Sequence, residues 1–186
     1  MKNAEVTKTQ FLDVAKKLFA QKGFYGVSIA SISGELGFTK QALLHHFGSK
    51  EGLYGAVLEG ISRRFLEALE EGPDSLQDAV RQMFEHMMRE KDDARIVMRE
   101  LLDNSERAEQ SRKWYLRPFL DRLLEIGRQN SNWAGESDAE IFARVYQLVG
   151  AVNYWAISGP TLWRMYGEDT MTEIGDTFPE ALLKDL

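Results

Sequence analysis

Apolar residues recur at helical spacing along almost the whole chain, and this periodicity restricts the fold more than any other feature of the sequence. Only four prolines occur, and no run of β-branched residues alternates with polar ones over the length of a strand. The pattern therefore predicts an all-α protein. The predicted helices are 7–21, 29–36, 40–46, 50–70, 75–91, 92–104, 108–129 with a kink at Pro118, 137–157 ended by Gly159 and Pro160, and 169–184.

The charge of the chain is divided unevenly along its length. Residues 1–50 contain seven lysines and three acidic residues, a net charge of +4, whereas the rest of the chain has a net charge of −10. A local excess of lysine attracts phosphates even in an acidic protein, because steering depends on the local field. The charge distribution therefore indicates a basic head on an acidic body.

Two of the short predicted helices are joined by a tight turn at residues 37–39. Gly37 permits the left-handed backbone that ends the first of them, and Thr39 can cap the second. A packing helix precedes both, which is typical of a helix-turn-helix whose second helix enters the DNA major groove. We therefore predict a three-helix DNA-binding head at residues 1–48 and a larger helical bundle at residues 49–186.

The adjacent histidines His45 and His46 lie in the second of these short helices and have three interpretations. Adjacent helical side chains point about 100° apart, whereas metal-binding pairs on a helix use i, i+4 spacing, so a shared metal is disfavoured. The interpretation that these histidines have no specific function remains open. Their place on the outer face of the helix favours a DNA contact. For the third histidine, His86, we expect a packed or solvated side chain.

The run FLDVAKKLFAQKGFYGVSIASISGELGFTKQALLHHFGSKEGLYGAVL resembles the N-terminal domain of the TetR/AcrR family of transcriptional regulators. The features that carry the resemblance are LFAQKGF in the first helix, Gly37 at the turn, Phe47 at the end of the third helix and SKE at the start of the fourth. The resemblance implies double-stranded DNA as a partner. The implied DNA-facing residues are Thr39, Lys40, Gln41, His45 and His46, and the implied phosphate ligands are Ser28 and Lys50.

This chain departs from the family pattern inside the same segment. Leu44 stands where a phosphate-binding tyrosine is usual, so one backbone contact is expected to be missing, although Leu44 can still touch a thymine methyl group. Ala30 stands where a basic residue is common, and Gln41 where glycine is frequent.

The acidic body is rich in methionine and aromatic residues at helical spacing. Most such side chains belong to a hydrophobic core, but a cavity between bundle helices is also a usual small-molecule site. The resemblance implies such a cavity, open to a hydrophobic or aromatic effector. The candidate lining residues are Met87, Met98, Trp114, Phe119, Tyr146 and Tyr154.

The segment Ile141–Ile157 is apolar nearly all round, since thirteen of its seventeen residues are apolar or aromatic. A helix of this kind must be covered on more than one side. The resemblance implies that the last two helices form a four-helix interface with a second copy, so we expect a homodimer. A buried helix within a monomer is the alternative.

Other classes of protein have little support in the sequence. The chain contains no cysteine, which excludes disulfides and thiolate sites. No motif of a catalytic nucleophile or phosphate-cradling loop is present, so we predict that it is not an enzyme and needs no cofactor or metal. No apolar run reaches the roughly 20 residues of a membrane span, and the N-terminus lacks a signal-peptide core, so a cytoplasmic protein is expected.

These inferences lead to a prediction and two rivals. We predict a homodimeric, ligand-responsive DNA-binding regulator that acts as a repressor. The first rival is a helical dimeric small-molecule-binding or adaptor protein that has lost specific DNA binding. A helical enzyme with a buried hydrophobic pocket is the second.

Overall fold

The computed structural model describes residues 2–70, 75–103, 106–107, 109, 113–184 and 186, and the regular structure within them is helical. The predicted all-α fold is therefore confirmed. The helices are α1 (Lys2–Lys22), α2 (Ile29–Glu35), α3 (Lys40–Phe47), α4 (Lys50–Glu70), α5 (Leu76–Arg89), α6 (Lys91–Asp103), α7 (Arg117–Gln129), a 3₁₀ turn (Ser131–Trp133), α8 (Asp138–Tyr166) and α9 (Glu168–Leu183).

The chain forms two compact units. Unit 1 consists of residues 1–62 and 95–116, and unit 2 of residues 63–94 and 117–186. The division falls inside α4 and inside α6, so each of these helices contributes residues to both units. The functional boundary expected after residue 48 is a different division and stays a prediction.

The core of unit 1 is built from aromatic side chains that the helical periodicity places on one face. Phe11 and Phe19 of α1 are fully buried. The Phe11 ring lies 5.3 Å from that of Phe38, in the turn before α3, and 6.4 Å from that of Phe47. The Phe19 ring lies 4.9 Å from the Tyr54 ring, edge to face. These contacts fix α1 against the ends of α3 and against α4.

The turn between α2 and α3 depends on a left-handed glycine. Gly37 has φ +69°, and its N–H donates to the Gly34 carbonyl while the Phe38 N–H donates to the Ser33 carbonyl. These bonds satisfy carbonyls that the end of α2 would otherwise leave unpaired. The predicted role of Gly37 as the helix stop is therefore confirmed.

Replacement by alanine should change the stability of unit 1 in opposite directions at two glycines of this motif. A Cβ atom would meet open space at both Gly34 and Gly37, so backbone conformation alone decides the outcome. Gly34→Ala should stabilise unit 1 by about 0.5–1 kcal/mol because it lies within α2. Gly37→Ala should destabilise it by about 1 kcal/mol because of the positive φ. Chemical denaturation measures the free energy of unfolding of both variants. Equal changes in the two would contradict the assigned turn geometry.

Unit 2 packs α5, α7, α8 and α9 against one another. Met87 of α5 and Phe119 of α7 are buried in its core, as are Val152 and Ala156 of α8. Phe65, from the second half of α4, stacks on Phe119 with ring centroids 4.7 Å apart. In the described residues, no helix combines the length and the apolar composition that a membrane span requires.

The predicted long seventh helix with a kink at Pro118 is wrong. Residues 113–116 are not helical, and α7 begins only at Arg117, which places Pro118 in its first turn. The missing N–H of proline costs nothing there, because N–H groups of the first turn have no partner inside the helix. Much of the predicted segment before residue 113 lies outside the described residues.

The predicted end of the eighth helix at Gly159 and Pro160 is also wrong. α8 continues through Pro160 to Tyr166 and ends at Gly167, which has φ +81° and donates its N–H to the Trp163 carbonyl. Proline removes one helical hydrogen bond, but its fixed φ is itself helical. The bonds on either side are enough to carry the helix across it.

Candidate nucleic-acid interface

The start of α2 is fixed by reciprocal hydrogen bonds between two serines. The Ser31 N–H donates to Ser28 Oγ over 3.0 Å, and the Ser28 N–H donates to Ser31 Oγ over 3.2 Å. This capping box makes Ser28 the N-cap of α2. The Ser28 oxygen is therefore already used in holding α2.

Helix α3 presents a polar outer face. Thr39 caps it by accepting the Ala42 N–H over 3.2 Å, and Leu43 is fully buried beneath it. The side chains that the structure leaves exposed include four of the predicted DNA-facing residues: Thr39, Lys40, Gln41 and His45. Leu44 lies among them and is 39% exposed. These residue types can donate to, accept from or pack against base edges.

The two histidines occupy different environments. His45 is exposed, whereas His46 is half-buried, with its ring 6.0 Å from the Phe11 ring and 6.2 Å from the Phe47 ring. In the part of the chain that the structure describes, no three metal-ligating side chains cluster. His46 therefore helps to pack α3 on α1, and a DNA contact by either histidine stays a prediction.

Lys50 lies at the start of α4 and is tied to the loop between α1 and α2. Its Nζ donates to the carbonyl oxygens of Phe24 and Val27, each over 3.1 Å, and lies 4.2 Å from the centre of the Phe24 ring. The side chain therefore pins the loop that leads into the Ser28 cap. An ammonium group has three donors, so one can still point to a phosphate.

A buried ion-pair cluster lies in unit 1 next to Lys50. The Arg107 guanidinium, whose side chain is 4% exposed, pairs with Glu51 in the first turn of α4 and with Glu100 of α6. It also lies 4.7 Å from the centre of the Tyr54 ring, and Tyr54 hydrogen-bonds Glu100. The cluster joins the start of α4 to α6.

Burial and charge act in opposite directions on the ionisation of this cluster. Burial raises the pKa of Glu100, and the Arg107 charge reduces that rise without cancelling it. Burial lowers the pKa of Arg107, but the carboxylates of Glu100 and Glu51 more than offset this and leave the pKa raised. The pKa of Tyr54 is raised mainly by burial and, to a smaller extent, by the charge of Glu100.

A second contact joins α6 to the head. Arg99 donates from Nε to the Ala20 carbonyl and from Nη2 to the Gln21 carbonyl, each over 3.3 Å. These carbonyls belong to the last turn of α1, where a cation also suits the helix dipole. No local sequence signal reveals the contacts of Arg99 with α1 or the pairing of Arg107 with Glu51, because these partners lie 56 to 79 residues away along the chain.

The six candidate effector residues occupy different environments. Met87 and Phe119 are buried in the core of unit 2, whereas Tyr146 and Tyr154 of α8 are exposed. Unit 1 contains the half-buried Met98 and the exposed Trp114. Within unit 2, the four residues are therefore split between the core and the surface.

Unit 2 contains a groove between α5, α8 and α9 with a volume of about 440 Å³. Its aromatic wall consists of Phe84, Trp155 and Trp163, with Pro160 and Met171 beside them. Trp155 is held in place by stacking on Phe178 of α9, with ring centroids 4.2 Å apart. Trp163 is not among the six candidates, and Pro160 was expected to end α8 before it.

Helix α8 also carries exposed aromatic side chains. Phe142 and Tyr146, one turn apart, are 51% and 58% exposed and stack nearly parallel with centroids 6.2 Å apart. Tyr154 continues this row two turns later and is 65% exposed. A row of large exposed apolar side chains on one helix is a frequent mark of a protein interface.

Comparison with known proteins agrees with this geometry. Residues 11–57 match the model of the family described as bacterial regulatory proteins, tetR family. The transcriptional repressor KstR2 of Rhodococcus jostii is 32% identical over 72 residues, which is 37% of this chain and 35% of the relative. The match thus spans about a third of that protein's length.

Solved structures resemble the chain over nearly its full length. One is AibR in complex with isovaleryl coenzyme A and operator DNA, with 20% identity, a TM-score of 0.68, and coverage of 95% of this chain and 97% of that one. Another is the ketosteroid regulator KstR2 of Mycobacterium tuberculosis, with 17% identity, a TM-score of 0.62, and coverage of 96% and 93%. At these identities the likeness establishes the fold.

Proposed function

We propose that this chain, which belongs to the TetR/AcrR family of bacterial regulatory proteins, is a dimeric DNA-binding regulator that a small molecule releases from its operator. The observation that carries the proposal is the outer face of α3, where Thr39, Lys40, Gln41 and His45 are exposed above a fully buried Leu43. That face is of a kind that can read base edges. The relatives are transcription regulators rather than enzymes, in agreement with the expected lack of catalysis.

In this proposal each α3 enters a major groove and a second copy reads the other half of the operator. The half-sites would lie about one helical turn, roughly 34 Å, or somewhat more apart. Ser28 and Lys50 flank α3 at the start of α2 and of α4, and we assign them to backbone phosphates. The support for the phosphate role of Lys50 is its remaining donor beside the first turn of α4.

Lys40 and Gln41 should determine which operator sequence is bound. Lys40→Ala or Gln41→Ala should lower affinity for the operator by about tenfold, because a good base contact is worth about 1–3 kcal/mol. Affinity for unrelated DNA should change much less. A mobility shift against a library of operator variants measures this, with Lys184→Ala in unit 2 as the control. A parallel loss on all sequences would instead assign these residues to the DNA backbone.

The effector is proposed to bind in the aromatic groove of unit 2. The support is its size and its wall of Phe84, Trp155 and Trp163, which suit an apolar or aromatic molecule. Compounds of that kind, added to the protein–DNA complex, should include some that release DNA from the wild type but not from Trp163→Leu. Trp114→Leu serves as the matched variant, since Trp114 is the tryptophan among the six residues predicted from the sequence. If only Trp114→Leu blocks release, the groove is not the site.

Transmission from effector to DNA is proposed to run through α6 and α4. Both helices contribute residues to unit 1 and to unit 2. In unit 1, α6 is bonded to the end of α1 by Arg99 and to the start of α4 through Arg107. An effector changes DNA binding only if it binds one arrangement of these helices better than the other.

An adaptor protein without specific DNA binding is the second candidate. It is favoured by Leu44, which lacks the hydroxyl usual at its position, and by the net charge of −6. A mobility shift at low, stated salt with the DNA upstream of the chain's own coding region separates the two, because phosphate contacts weaken with salt. Binding no stronger than to random DNA, across a fair set of candidate operators, would favour the adaptor.

A further inference from the structure

Tyr25, in the loop between α1 and α2, is an exposed aromatic residue that packing does not explain. Its side chain is 68% exposed. Among the described residues up to Ser62, the other exposed large apolar side chains are Phe38 and Leu44, which are 40% and 39% exposed and lie before or within α3. In the part of the chain that the structure describes, the Tyr25 hydroxyl has no hydrogen-bond partner.

The position of Tyr25 is nevertheless fixed from below. Its ring contacts the Phe24 ring edge to face, with centroids 5.3 Å apart. Phe24 in turn stacks on Phe19 and carries the Lys50 ammonium over its face. Lys50 also binds the carbonyls of Phe24 and Val27, which holds the backbone on both sides of Tyr25. An exposed donor on a fixed loop loses little conformational entropy when it binds.

The expected phosphate ligands of the head are already partly engaged. The oxygen of Ser28 accepts a bond within the capping box, and two donors of Lys50 are used on the loop. Leu44 offers no hydroxyl. The phenol of Tyr25, three residues before the Ser28 cap, is by contrast unused among the described residues, and tyrosine is one of the side chains that commonly donate to phosphate.

We propose that the Tyr25 hydroxyl donates a hydrogen bond to a DNA backbone phosphate at the start of α2, in place of the hydroxyl that Leu44 lacks. This inference rests on the proposed DNA-binding function. It adds a contact outside α3 that fixes the head on the duplex without reading its sequence.

The test is Tyr25→Phe, which removes one oxygen and keeps the ring on Phe24. Affinity should fall by about tenfold or more on the operator and on unrelated DNA alike, since a hydrogen bond to a charged group is lost. The salt dependence should keep its slope, because no charge is removed. The unfolding midpoint should not change. Tyr166→Phe, an exposed tyrosine of unit 2, is the matched control and should bind DNA as the wild type does.

Three outcomes would overturn the inference, and they are distinguishable. Unchanged affinity of Tyr25→Phe, with wild-type protein that binds its operator, removes the phosphate contact and leaves the proposed function intact. A change confined to one operator position would make Tyr25 a base-reading residue instead. Wild-type protein that binds no DNA would remove the proposed function and this contact with it.

Discussion

Replacement of Phe142 and Tyr146 by glutamate should convert the protein to a monomer and lower its affinity for a full operator by about a hundredfold or more. The two rings lie stacked and exposed on α8, where a second copy would bury them. Carboxylates placed there would be desolvated in the dimer and would face their symmetry mates. The operator affinity falls because two linked heads bind adjacent half-sites with a high effective concentration, which a monomer lacks.

Sedimentation velocity at micromolar concentration measures the first effect, and mobility shifts on full and half operators measure the second. The affinity for an isolated half-site should hardly change, since unit 1 is untouched. The exchange Phe142→Tyr with Tyr146→Phe keeps both rings and serves as the control. A double glutamate variant that sediments as a dimer would place the interface elsewhere. A monomeric wild type would show that the exposed aromatic row of α8 is not a dimer interface.

The local architecture of the head could be predicted because its signals are local. Ser28 and Thr39 cap their helices through bonds to residues three positions later, and Gly37 ends α2 within its own turn. Such contacts depend on residues that stand next to one another in the sequence. For the same reason, the exposed and buried faces of α3 follow directly from its periodicity.

The contacts that hold the head in place could not be predicted, because they join distant residues. Lys50 reaches carbonyls more than twenty positions earlier, and Arg107 reaches Glu51 from more than fifty positions later. Lys50 was expected only as a phosphate ligand, whereas the structure shows its ammonium bonded to the loop between α1 and α2. A basic residue can bind a phosphate, a carboxylate or a backbone carbonyl. The sequence alone does not reveal which of these it contacts.

The two prolines show a different limit. Proline always lacks an N–H and has a fixed φ, but the structural consequence depends on its position within the helix. Pro118 lies in the first turn of α7, whereas Pro160 lies within α8. Because α8 continues past Pro160, Trp163 belongs to this helix and lines the aromatic groove.

The free energy of unfolding should fall by about 3–5 kcal/mol when Arg107 is replaced by leucine, because a buried charge then loses its partner. The Glu100 side chain is only 7% exposed, whereas Glu51 is 36% exposed and can be solvated. Glu100 is therefore the source of most of the loss. Arg63→Leu breaks an exposed i, i+4 pair with Glu67 and should cost less than about 0.5 kcal/mol.

The loss in Arg107→Leu should depend on pH in a direction that identifies Glu100. Burial raises the pKa of Glu100 in the folded protein, and removal of the Arg107 charge raises it further. A carboxyl with a raised folded pKa favours folding at acid pH, and this contribution is lost as the pH rises through that pKa. The deficit relative to the wild type should thus be largest near neutral pH and smaller at about pH 5.

Urea denaturation at both pH values measures this dependence. If Arg107→Leu does not fold, a second variant still tests the role of the Glu100 charge. Glu100→Gln together with Arg107→Leu removes the stranded charge, while the amide oxygen can still accept the Tyr54 hydroxyl. Most of the stability should return, and the extra loss of stability that Arg107→Leu shows between about pH 5 and neutral pH should disappear, because glutamine does not ionise. A deficit of equal size at both pH values, or no recovery in the double variant, would mean that lost packing around Arg107 rather than the charge of Glu100 is responsible. In that case the link between α6 and the start of α4 would be steric, and induction by an effector should survive in any folded Arg107 variant.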